Sequence, residues 1–152
     1  MTCPDVQDAN LILRLYELRR ESVMREARDW VNGHLHAQSF EQFLEQCPMG
    51  SDNNRMYRMV ASYWEMVAAF VNNRLLNPDL FFQTNGEHLM LWLKVEPWIG
   101  KMRQTYKMPF MMKNLEELAS KHLAWMDARQ PGSSEGYRAF VRSMQEQAAK
   151  TR

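Results

Sequence analysis

Residues 56–75, MYRMVASYWEMVAAFVNNRL, decide what kind of protein this chain can be. Met56, Met59, Val60, Tyr63, Trp64, Met66, Val67, Phe70, Val71 and Leu75 recur at three- and four-residue intervals. At about 100° per residue they sweep roughly 200° of a helical wheel, wider than the ~100° stripe of a surface helix. The rest of the wheel carries Ala61, Ser62, Ala68 and Ala69, small enough for a second backbone to approach. A helix apolar on one side and small on the other is expected to be surrounded by others. Its odd member is Glu65, the only charge between Arg58 and Arg74, with small residues one turn away in both directions. It has no local ion pair of helical spacing, so its partner must be water or another element. Arg103 is the expected partner.

On the N-terminal side, one long helix is expected from Asp5 or Asp8 to Trp30 or Val31, with Leu11, Ile12, Leu15 and Leu18 facing inward. Gly33 would stop it, and Glu21 and Arg25 would pair across its wet face. Ser39 and Gln42 have the form of a capping box for a short helix ended by Pro48. Asp52 or Asn53 is expected to cap the central helix. Beyond it, Asn77-Pro78-Asp79 supplies cap, first-turn proline and dipole-complementing acid for a second short helix, which Asn85-Gly86 ends.

From Glu87, a clean stripe of Leu91, Trp92, Val95, Trp98, Ile99, Met102 and Tyr106 predicts a long helix. The stripe keeps its phase across Pro97, so a kink is expected there and not a break. Asn114 and Glu117 open a further helix that buries Leu115, Leu118, Ala119, His122 and Met126. Residues 130–134 (Gln-Pro-Gly-Ser-Ser) form a hinge before a last helix with Tyr137, Phe140, Val141 and Met144. Each of these helices hides one side only. The pattern therefore predicts an all-α, single-domain bundle of about six helices over residues 1–152, with its core between about 8 and 148.

At 152 residues the chain has room for one independent core. Its net charge of +1 gives no electrostatic reason to favour nucleic acid or an anionic membrane. No uncharged apolar run is long enough to span a bilayer, and the first residues lack the blocks of a signal peptide. Cys3 and Cys47 each precede a proline without a second Cys or His at ligand spacing, which suits free thiols in a reducing cytosol.

Three further stretches carry a likeness: Leu76-Asn-Pro-Asp-Leu80, then Trp92 with Pro97-Trp98-Ile99 and Arg103, then Asn114-Leu-Glu-Glu-Leu-Ala119. Over roughly Met56 to Ala119 the pattern resembles a family of small all-helical bacterial proteins of unknown function. The resemblance implies a helical fold and a bacterial source, and it brings no catalytic residues. Some members of that family carry a membrane anchor ahead of the helical domain; no such anchor is read in this chain.

Candidate chemistry is sparse. His34 and His36, two apart at a helix end, cannot point the same way from a helix and are expected to be solvated. His88, beside Glu87 in a first turn, is expected to face solvent. His122 lies on an apolar stripe and reads as a core histidine bonded to a carbonyl or acid. No metal-ligand, phosphate-cradling or nucleophile motif is present, so no catalytic residue, metal or cofactor is assigned. What stands out is methionine, 13 of 152 residues, a flexible thioether that fills core gaps or lets a surface adapt.

Two function classes follow. The first is a non-enzymatic cytoplasmic interaction or regulatory module that meets a protein partner or a second copy. Its surface would be Met108, Phe110, Met111 and Met112. The alternative is a small-ligand binder or enzyme with a pocket between the central and fourth long helices, built from Trp64, Glu65, Trp92, Trp98 and Arg103.

Overall fold

The central helix is α4, Asp52–Asn72, and it occupies the middle of the fold. Met56, Tyr57, Val60, Ala61, Trp64, Val67, Ala68 and Val71 are buried, so most of the large arc is covered and the small arc only in part, with Ser62 exposed and Ala69 half-buried. Two helices do most of the covering: α2 (Ser22–His34) packs along one side and α7 (Lys113–Arg129) along the other. Ala68, wholly buried, is small where the neighbouring helices cover α4. Met66 and Leu75 depart from the expected stripe, at 39% and 67% exposed. The helix stops before Leu75 because Arg74 turns left-handed, at φ 60°, and the Leu75 N–H folds back onto the Phe70 carbonyl at 2.9 Å.

The computed structural model describes residues 3–151, and within them all regular structure is helical. There are eight helices among the described residues, not about six: α1 (Val6–Arg19), α2, α3 (Phe40–Gln46), α4, α5 (Pro78–Thr84), α6 (Glu87–Tyr106), α7 and α8 (Ser133–Lys150). The main surplus comes from the expected long first helix, which breaks at Arg20–Glu21. Glu21 turns its carboxylate onto the N–H groups of Val23 and Met24, at 3.1 and 3.0 Å, and so caps a new helix instead of pairing with Arg25. Arg25 reaches back to the Arg20 carbonyl at 3.0 Å. The break turns α2 so that Met24, Ala27 and Val31 are buried. It leaves α1 with Leu15 as its one buried residue.

The remaining helices enclose this centre. α6 runs unbroken through Pro97, which is exposed, and every residue from His88 to Val95 except the half-buried Met90 is buried, because α7, α3 and α8 all pack against it. α3 starts at the expected Ser39 cap, but Gln42 accepts from the Gln38 N–H, one residue short of a full box. Asn77 caps α5 as expected, accepting from the Leu80 N–H at 3.0 Å. The central helix is capped by Ser51, which accepts from Asn54 N–H, and not by Asp52 or Asn53. No helix among the described residues is long and apolar enough to cross a membrane.

Candidate functional site: an apolar groove beside the central helix

Because α3 is only seven residues long, it buries little beyond Phe40 and Phe43. The Phe43 ring stacks on Trp98 of α6, with centroids 4.2 Å apart, and meets Tyr57 of α4 edge-on at 4.8 Å. Phe43 and Tyr57 floor a groove of about 650 Å³. Leu44 and Cys47 of α3, Ala61 and Ser62 of α4, and Met102 and Tyr106 at the end of α6 form its sides. The far wall is Met111 and Met112, from the connection between α6 and α7.

That connection is held in shape by contacts that oppose its own preferences. Lys107 and Met112 are both left-handed, at φ 55° and 56°, which costs about 1–2 kcal/mol for a residue with a Cβ. Arg103 anchors the segment: its Nε donates to the Met111 carbonyl at 2.8 Å while its Nη2 meets Glu116 at 2.9 Å. The Tyr57 hydroxyl donates to Met112 Sδ at 3.3 Å. So fixed, the segment turns Met111 and Met112 toward the groove and leaves Met108 and Phe110 outside, 55% and 83% exposed.

Glu65 completes the frame from beneath. Helix α7 begins at Met112 without a side-chain cap of its own. Glu65 of α4 supplies one across the interface, accepting from Asn114 N and Nδ2 at 3.0 Å each and from Leu115 N at 2.8 Å. A carboxylate at a helix N-terminus satisfies orphan donors and complements the dipole. The expected Glu65–Arg103 pair is thus replaced by two separate contacts with the start of α7, and Asn114 is a donor to the cap and not the cap itself.

The groove is chemically quiet. Burial pushes the Cys47 thiol up to about 12, and burial likewise raises the Tyr57 hydroxyl above its ordinary range. Both stay protonated near neutrality, and Glu65 is spent on α7. Arg58 stands at the edge, exposed and without an acidic partner among the described residues. The surface offers adhesion and one cation.

Of the five residues expected to form a ligand pocket, only Glu65 borders the groove. Trp98 is 1% exposed behind Phe43. Trp92 is buried, with the Arg103 guanidinium 6.0 Å from its ring. Trp64 is also 1% exposed and lies elsewhere, donating from Nε1 to Glu87 Oε1 at 3.1 Å. The structure does not gather the five. Of the expected interaction residues, Met111 and Met112 line the groove, and Met108 and Phe110 stand exposed beside it. The roles of Phe43, Tyr57 and Ala61 were not legible from sequence, since each reads as ordinary core.

The histidines correct one expectation outright. His88 is wholly buried, because Phe81 and Phe82 of α5 and His122 of α7 close over the first turn of α6. Its Nε2 lies 2.9 Å from His122 Nδ1, so the core partner of His122 is another imidazole and not a carbonyl or an acid. Burial holds both below the ordinary range, His122 down to about 4 and His88 well below. The neighbouring Glu87 is half of a three-contact clamp with Arg28 at 2.6–3.0 Å, which offsets the cost of burial and keeps the carboxyl on the low side. His34 is exposed and His36 half-buried. Cys3 and Cys47 are both free thiols. Among the described residues no three His, Cys, Asp or Glu side chains gather as metal ligands would.

The all-helical fold agrees with comparison to known families. A profile described as a domain of unknown function, DUF4760, matches residues 4–122. The chain belongs to the DUF4760 family. The DUF4760 stretch ends at His122, within α7, so it contains every wall of the groove, while α8 lies beyond it. No curated protein and no solved structure matches the chain.

Proposed function

We propose that this DUF4760 protein is a non-enzymatic interaction module whose working surface is the groove between α3, α4 and the Met108–Met112 segment. The observation that carries this is the groove itself: about 650 Å³ of mostly apolar lining, bordered by a strained connection that also leaves Phe110 and Met108 exposed. Apolar surface left uncovered on a monomer marks a contact site, and methionine walls accommodate varied side chains. The occupant that fits is a short amphipathic segment of a partner protein. It would seat two large apolar residues and carry an acidic residue to meet Arg58. A pocket built on Trp64, Trp92 and Trp98 finds less support, since those rings are packed in the core.

The test is binding of short helical peptides with two leucines at i and i+4 flanked by glutamate, measured by fluorescence anisotropy. Wild-type protein is expected to bind saturably, Arg58→Glu about tenfold more weakly, and Ala61→Trp, which fills the groove, not detectably. Equal binding by all three proteins would remove the groove from consideration.

A further inference from the structure

A second cavity, of about 800 Å³, lies on a different side of the molecule, between α3 and the C-terminal half of α8. Its lining is polar: Gln38, Gln42, Gln46, Asn53, Gln145 and Glu146 are among its walls. What matters is how the amides are oriented. The Gln42 Oε1 accepts from the Gln38 backbone N–H at 2.8 Å, and the Gln46 Oε1 accepts from the His36 backbone N–H at 3.1 Å. A backbone N–H can only donate, so both side-chain amides are fixed with oxygen inward. Among the described residues, the Nε2 groups of the exposed Gln42 and the half-buried Gln46 keep two N–H donors each without a protein acceptor. Gln145 adds a third. It is 7% exposed, its Oε1 accepts from Gln38 Nε2 at 3.3 Å, and its Nε2 is buried without a partner. An unsatisfied buried amide carries a desolvation cost that calls for an explanation.

The charges around these donors narrow the ligand. Glu45 and Glu146 line the cavity, exposed and without cationic partners among the described residues. Arg142, the one cationic side chain in the lining among the described residues, is engaged by Glu135 at 2.9 Å. Two unpaired carboxylates repel an anion and call for donors, while the amide N–H groups beside them call for acceptors, which a simple cation does not supply. A ligand must therefore accept from amides and donate to carboxylates. Hydroxyl groups do both, and Ala149 is the only apolar side chain in the lining, so side chains of a bound peptide would find no apolar seat.

We propose that this cavity is a binding site for a neutral, hydroxyl-rich small molecule, a polyol or a mono- or disaccharide. Its hydroxyl oxygens accept from the Nε2 groups of Gln42 and Gln46 and, once the Gln145 side chain turns outward, from its Nε2, and its hydroxyl protons go to Glu45 and Glu146. The site is independent of the apolar groove and does not depend on its function.

The experiment is a ¹⁵N-resolved NMR titration of the full chain with mannitol, glucose and trehalose, following the side-chain NH₂ signals. At least one of the three is expected to shift the Gln42, Gln46 and Gln145 signals saturably. Gln42→Glu keeps the acceptor for the Gln38 N–H but turns the free donor into an acceptor, and is expected to weaken binding about tenfold. Gln145→Leu should do the same while leaving the backbone spectrum, and hence the fold, in place. Absence of saturable shifts with all three compounds overturns the proposal. So does binding that neither variant weakens, or tighter occupation of the same signals by a blocked glycine peptide.

Discussion

Glu65 of α4 holds the first turn of α7 through three hydrogen bonds at 2.8–3.0 Å. A lone carboxylate among alanines must find donors, and that much followed from its neighbours in sequence. Its donors are two backbone N–H groups of α7 and the Asn114 side-chain amide, which no charge pattern announces, whereas Arg103 was visible because it carries a charge. Glu65→Ala leaves the Asn114 and Leu115 N–H groups unsatisfied at a half-buried helix end, and should cost about 2 kcal/mol in urea unfolding. Glu65→Gln keeps one acceptor and should cost about half as much. His88 and His122 give the matching case for pH. Both stay neutral in the folded protein, and His122 titrates there near 4 against 6.5 for an ordinary imidazole. Below about pH 6.5 the unfolded chain binds protons that the folded chain refuses, so stability falls as pH drops toward 4. The His122 contribution amounts to roughly 3 kcal/mol at most. Chemical unfolding between pH 7 and pH 4 should show this slope, and His122→Phe should flatten it.

At the scale of elements, the helices that were legible are those closed by their own residues: Ser39 opens α3 and Asn77 opens α5. Two helix ends that were misjudged are closed from elsewhere. α7 is begun by Glu65 of α4, and the end of α2 is met by Lys94 of α6, whose Nζ donates to the Leu35 carbonyl at 2.9 Å while 2% exposed. Local cap signatures cannot report a partner dozens of residues away. The break between α1 and α2 has a related cause, since a glutamate that could pair along a helix turned out to cap one instead. Lys94 also carries a testable consequence. Burial lowers it from 10.5 to about 8, so between those values the unfolded chain holds the proton and the folded chain does not. Stability therefore rises with pH across that window. Lys94→Met should be about 1 kcal/mol more stable than wild type at pH 7, since the lost bond to Leu35 offsets part of the relieved burial cost. By pH 10.5 the difference should be gone or reversed, as thermal melts at both pH values would show.

For the whole molecule, the all-α bundle and the central place of α4 were readable because helical periodicity survives in every long segment. The groove was readable only in part. Met111 and Met112 stood out as an apolar run, but its floor of Phe43 and Tyr57 looks like core in sequence and is core on one side. A cavity is a relation between elements, and it appears only once α3, α4 and the end of α6 are placed together. The 13 methionines provide a direct probe of it, because their methyl groups are spread through the molecule and four line the groove: Met49, Met102, Met111 and Met112. The deciding measurement is a ¹³C-methyl methionine NMR titration with a peptide of two leucines and flanking glutamates. Saturable shifts at Met102, Met111 and Met112, with Met24, Met90 and Met126 unmoved, are the predicted result. Shifts at those distant methionines instead, or none at saturating peptide, would contradict the assignment of the groove as the working surface.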